Sequence, residues 1–285
     1  MRIYNVLGFT ILAVQLAVSA MLAPPWLGPY WGMVIGFAYL LASWFSGGLY
    51  LSDIIHMGIA HRALNYKDWF VKTVTLVNNA FFVYVDPVSW VNRHRLHHEF
   101  SDHPGDPNKL DSDGFWQTLY RCLFPYPCTD NMANDAILKT WPFRLVSHPL
   151  FIVVSPVLSC GLLWLLVRDW TFAIGVWFGV RIFALWVNMV QNYWTHDRRW
   201  GSRRYDVPSD NAMNIGDWLP VMATFSACWQ NNHHRYPHLL RTTHAPGEFD
   251  FGYYTVRIMR ALGLVEASKT GTHRPNDLAL AEVTL

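Results

Sequence analysis

Eight of the chain's thirteen histidines fall into four short stretches. Residues Trp90 to Asp106 read WVNRHRLHHEFSDHPGD and hold His94, His97 and His98 as HxxHH. On an α-helix positions i, i+3 and i+4 share a face, so this spacing predicts three imidazoles pointing the same way. His56 and His61 form an HxxxxH pair, and Gln230, His233 and His234 repeat the HxxHH spacing as QxxHH within WQNNHHRYP. Asn192 and His196 lie four apart in NYWTH, again one helical face. The remaining His103, His148, His238, His244 and His273 are scattered. Converging imidazoles are costly to desolvate unless something binds them, and neutral imidazole is the commonest metal ligand. A nitrogen-rich set with Asn or Gln in support, and no cysteine in any cluster, suits iron better than a closed structural zinc site. Eight or nine such donors imply two metal ions.

Long apolar runs must carry these donors. The chain is 52% hydrophobic and only 15% charged, with fifteen tryptophans, which is the composition of a membrane protein. Four runs have the length or near-length of a bilayer span: 3–22, 31–55, 149–167 and 172–191. A cleaved signal peptide competes for the first, given the small residues at Ser19-Ala20, but the run is long and another apolar segment follows at once, so a retained helix is expected. The second run exceeds the length a bilayer needs and should project His56 beyond the lipid. Phe70 to Val85 is apolar in parts yet carries Lys72, Asn78 and Asn79. Were it to cross the membrane, His56 and His94 would lie on opposite sides, so an interfacial or partly embedded segment is expected. Pro125 and Pro127 break the mixed region that follows, and Glu266 to Leu285 reads as a loose tail.

The predicted architecture is therefore an all-α membrane protein of one domain spanning 1–285. Four transmembrane helices carry a helical cap formed by 56–148 and 192–265. The loop between the first two spans has no Lys or Arg and that between the last two has one, so the positive-inside rule places both termini and every histidine cluster in the cytosol. The four cysteines show no CxxC and suggest no disulfide framework. Arg181 interrupts the fourth run and is either functional or paired within the bundle. Arg198, Arg199, Arg203 and Arg204 form a basic run suited to an anionic carrier phosphate or to lipid headgroups. No nucleic-acid motif is present.

The chain resembles the membrane fatty acid desaturases, particularly the stearoyl-CoA desaturase type. Trp90, His94, Arg95, His97, His98, Ser101, Asp102, Asp106, Pro107, Gly114 and Phe115 follow that family's pattern around its second histidine box. Tyr236-Pro237, Gly247-Glu248-Phe249-Asp250 and Ala261-Leu262-Gly263-Leu264-Val265 look like its C-terminal signature. The resemblance implies a non-haem di-iron centre that uses O2 and two electrons to oxidise an acyl chain. Carried over position by position, it makes His56, His61, His94, His97, His98, His196, His233 and His234 iron ligands, with Asn192 a ligand through water. Gln230 stands where acyl-CoA desaturases have a box-three His, and joins the candidate ligands. Asp102 and Asp106 are expected to hold ring N–H groups. Asn108 and Met57 also depart from the usual His and Arg.

These readings predict O2-dependent introduction of a double bond into a fatty acyl chain that is CoA-, carrier- or lipid-linked, or free. Ferredoxin, or cytochrome b5 with its reductase, would supply electrons. Hydroxylation, acetylenic bond formation and decarboxylation to an alkene are alternatives on the same scaffold. A metal transporter is disfavoured, because its ligands should lie near the bilayer midplane.

Overall fold

A computed structural model describes residues 1–109, 114–124, 128, 133–208 and 210–266. Leu110, Pro125, Pro127 and the tail beyond Glu266 lie outside the described residues. Helices dominate. Three are long and apolar enough to cross a membrane: Ile3–Met21, the continuous rod Gly28–Ala60, and Trp170–His196. The third predicted run, 149–167, forms a shorter apolar helix, Phe151–Val167, whose 17 residues span about 25 Å at the α-helical rise.

Helix α1 (Ile3–Met21) packs against α2 (Gly28–Gly48) through small residues. A Cβ on Gly36 would lie 2.1 Å from Ser19 Oγ, so only glycine permits the approach. Gln15, in the middle of α1, donates to the Val176 carbonyl of the apolar helix Trp170–His196, where Gly179 leaves room for its amide. One end of α1 is fixed by Tyr4, whose hydroxyl donates to Asp217 and whose backbone carbonyl accepts from Trp186.

After α2 the backbone does not stop. It continues as a π-helical segment, Leu49–Ala60, that delivers His56 and ends at His61. Helix α3 (Asp68–Phe81) covers the ambiguous stretch. It dips into the bundle and turns back. Three carbonyls at its C-terminal end receive side-chain donors from three different apolar helices: Ala80 from Ser159, Phe81 from Tyr39, and Phe82 from Arg181. A helix end without water needs such partners. Asn78 and Asn79 complete the turn, donating to Val83 O and accepting from Val85 N respectively. Arg181 is thus a structural clamp on this turn, stacked over Trp177, rather than a residue of the histidine site.

Helix α4 (Pro87–Phe100) starts with Asp86 accepting from the N–H groups of Val88 and Ser89, with proline at the first helical position. Helices α5 (Gly114–Leu123), α6 (Trp141–Val146) and α7 (Phe151–Val167) lead to α8 (Trp170–Asn192), which ends in a 3-10 turn, Trp194–His196. Three short helices complete the described residues: α9 (Trp218–Ala223), α10 (Gln230–Arg235) and α11 (Phe251–Ala261). Two-residue strands β1 (Asn65–Tyr66) and β2 (Val265–Glu266) pair antiparallel and pin the end of the described chain beside the π segment.

The basic run does not present an open anion site. Arg198 and Arg203 both donate to the Asp210 carbonyl, Arg199 pairs with Asp197, and Arg204 pairs with Glu248. These guanidiniums fold the 197–212 loop back onto the chain.

Candidate metal centre

The structure gathers all eight clustered histidines into two adjoining nests. His56, His61, His94, His98 and His233 form one, and His97, His196 and His234 the other, with the ligating atoms of each within 4.8 Å of one another. Two donors bound to one ion at about 2.0–2.1 Å lie at most about 4.2 Å apart, so each nest is only a little wider than the donor set of one metal. Five Nε2 atoms meet in the larger nest. His61 Nε2 lies 2.7 Å from that of His94, and His233 Nε2 lies 3.0 Å from that of His56 and 3.2 Å from that of His98. The nests share a wall, with the His98 and His234 rings 4.6 Å apart.

The expectation that HxxHH points three rings at one spot is corrected here. His94 and His98 enter the five-histidine nest, while His97 enters the other. At 100° per residue His97 and His98 diverge by a quarter-turn, so α4 lies along the boundary and feeds both sides. Helix α10 does the same, sending His233 to one nest and His234 to the other. The HxxxxH pair needs a different device. In an α-helix five residues turn the chain about 500°, leaving the two rings roughly 140° apart. The π-helix closes from i to i+5, and the His61 N–H donates to the His56 carbonyl at 3.0 Å. Both rings then reach the same nest. Arg95, from within the second motif, donates to the carbonyls of Ile59 and Ala60 and ties the segment's end to α4.

Carboxylates orient the smaller nest. His97 Nδ1 donates to Asp106 at 2.9 Å and His234 Nδ1 to Asp210 at 2.5 Å. His196 Nδ1 stands 3.7 Å from Asp102, whose carboxylate accepts from the Asn211 N–H. With Nδ1 held, Nε2 carries the lone pair, as in metal-bound histidines backed by carboxylates. Burial raises the cost of charging Asp106 and Asp210, but their imidazole partners outweigh it and hold both below the usual carboxylate range. Burial and neighbouring rings push His61, His94, His98 and His233 well below the ordinary imidazole value, and burial takes His234 down to about 4 despite Asp210. Near neutral pH these rings are uncharged, which is the form that binds metal.

The donor set fits a pair of metal ions. His234 Nε2, on the side of its ring away from Asp210, and Gln230 Oε1 are buried without a hydrogen-bond partner, and buried polar atoms are seldom left so unless something else binds them. Asn192 donates to the Asn188 carbonyl one turn back. Asp106 stands where the sequence reading put it. Asp210 was not foreseen, because it comes from a loop with no fixed spacing to any histidine. Asp210→Asn should lower metal retention by about 10–100-fold, as losses behind a metal-bound ring do; elemental analysis on the purified variant checks this, and unchanged metal content would oppose it.

An apolar cavity adjoins the nests. It lies between α2, the π segment and α8, and Leu40, Gly47, Val180 and Val187 are among its lining residues. Trp90 joins it to the metal centre, lining the cavity while stacking on His94 at 4.7 Å and 12°.

The model of the family "Fatty acid desaturase" matches residues 29–246. This chain belongs to that family. It is an oxidoreductase, and its apolar helices fit the family's membrane setting. Among its relatives, an sn-1 stearoyl-lipid 9-desaturase of Anabaena variabilis is 28% identical over 79% of this chain and 80% of its own length. Delta-9 acyl-lipid desaturase 1 of Arabidopsis thaliana is 27% identical over 76% and 70%, and an sn-2 palmitoyl-lipid 9-desaturase of Nostoc sp. (strain 36) is 25% identical over 78% and 77%.

Proposed function

We propose that this desaturase introduces an internal double bond into a fatty acyl chain, using O2 and two iron ions held by the two histidine nests. The observation that carries the reading is the apolar cavity ending at Trp90 against His94. Gln191 to Val180 along α8 is eleven residues, about 16 Å of helix, so the cavity can take a long alkyl chain end-on. Of its lining residues, Ser52 and Gln191 lie four and five residues before His56 and His196, and Leu40 and Val180 lie farther back along the same helices, at the end away from the nests. The bound irons supply O2 activation. The protein's part is to hold them with neutral imidazoles, lay one carbon pair beside them and keep water out. The reaction balances: two C–H bonds break, O2 accepts those two electrons and two more from a carrier, and two waters leave with two protons from solvent.

In this reading His56, His61, His94, His98 and His233 hold one iron and His97, His196 and His234 the other. Gln230 and Asn192 serve the smaller set. Each lies four residues before one of its histidines, His234 and His196, so their amides complete the nest that has fewer imidazoles. Four helices, including Phe151–Val167, would cross the bilayer, with both termini and the cap of 56–148 and 192–265 cytosolic. The relatives' names point to lipid-linked acyl chains over CoA esters, and the internally satisfied basic run agrees.

Expression in a host lacking desaturases, with saturated chains of several lengths, tests this by gas chromatography–mass spectrometry. An internal double bond is expected. A hydroxy acid or a shortened alkene would move the assignment to hydroxylase or decarboxylase, and no oxidised product with a competent donor would overturn it. Val180→Trp should fill the cavity's far end and shift products to shorter chains; an unchanged length profile would remove this cavity as the acyl site.

A further inference from the structure

Two electrons must reach the buried nests from outside in each turnover, and the structure offers a short way in. His238, one of the scattered histidines, is exposed, yet its Nδ1–H donates to the His61 carbonyl at 3.0 Å, and its ring lies edge-on to that of His61 at 6.3 Å. A surface imidazole is thus one hydrogen bond from the backbone of a residue in the five-histidine nest. Positive charge flanks it. Arg62 follows His61 directly, with its side chain 61% exposed. Arg235, at the end of α10 and three residues before His238, is exposed and rests over the Tyr236 ring. Asp135 is shared by Arg62 and Arg95. The Tyr236 N–H donates to the His233 carbonyl at 3.1 Å, which couples the same patch to the nest a second way.

We propose that Arg62, Arg235 and His238 form the docking face for an acidic one-electron carrier protein, and that the electron enters through His238 to the His61 backbone. This rests on the desaturase reading. Each encounter would oxidise one carrier by one electron and reduce by one a metal ion held in the nests, so two encounters serve one turnover. Opposite charge on carrier and patch speeds encounter and fixes register, and salt weakens it. The hydrogen-bonded ring shortens the gap the electron must cross.

The test mixes iron-loaded protein anaerobically with reduced plant-type [2Fe–2S] ferredoxin, an acidic carrier, and follows ferredoxin oxidation by stopped flow without acyl substrate. Arg235→Glu and Arg62→Gln should each lower the second-order rate constant at low salt, the reversal by about tenfold, and flatten its ionic-strength dependence. His238→Ala should keep the salt dependence but slow the limiting first-order rate severalfold. All three should retain iron and accept electrons from photoreduced deazariboflavin, a neutral small molecule, at the wild-type rate. Wild-type ferredoxin kinetics in both arginine variants would overturn the docking face, and an unchanged limiting rate in His238→Ala would overturn the entry point. Failure of the desaturase reading shows separately: wild-type protein that ferredoxin reduces normally, yet that yields no oxidised acyl product under O2.

Discussion

His97→Ala is expected to reduce product formation to background and iron content from about two per chain towards one, while the protein stays in the membrane. The direction follows from the partition of the nests. His97 is one of three imidazoles in the smaller nest, and its Nδ1 is already committed to Asp106. Without the ring, two histidines remain there, and the Asp106 carboxylate is left buried without its principal partner, which adds a desolvation penalty. Removal of His94 acts on the other nest, where four imidazoles would remain, so His94→Ala should retain more iron than His97→Ala even where both lose turnover. The spans form from the apolar helices and not from the metal, so insertion should survive. Elemental analysis and gas chromatography–mass spectrometry on membranes from the two variants decide it; wild-type product yield from His97→Ala would remove that residue from the ligand set.

Deletion of Met57 should be as severe, although Met57 is not a candidate ligand. It shortens HxxxxH to HxxxH and removes the extra residue of the π segment, so the two rings keep one α-helical face while everything after them is drawn back along the helix. The segment would relax towards the α-helix, and His61, the β1 strand that follows it and the Arg95 contacts to Ile59 and Ala60 would be pulled out of register. Met57→Leu is the control. It nearly conserves volume at a buried site, and such swaps usually cost less than about 1.5 kcal/mol. The deletion is expected to lose iron from the five-histidine nest and all product, with the leucine variant near wild type. Two irons per chain in the deletion protein would show that the register the π segment sets for His61 and the chain after it does not hold the nest together.

The residue types and spacings by themselves determined the donor inventory and the helical character of the segments that carry it. Imidazoles at i, i+3 and i+4 announce a helix face whatever surrounds them, and long uncharged runs such as 3–22 announce apolar helices because a buried backbone must satisfy its own hydrogen bonds. Asp106 was legible for the same reason, lying in the motif close to the ring it holds. The tertiary structure alone decided the rest. Spacing within α4 cannot say that His97 and His98 serve different nests, because that depends on where α10, the π segment and the end of α8 stand around it. A π-helix leaves no period in the sequence that α-helical reading would detect, and it persists because Arg95 and the β1–β2 pair hold its end. Arg181 and the basic run looked like sites for function until the fold placed carbonyls and carboxylates within their reach. Asp210 and His238 carried no signal at all. Each reaches the histidines from a separate loop, and only the packed chain brings a loop carboxylate to His234 and a surface imidazole to His61.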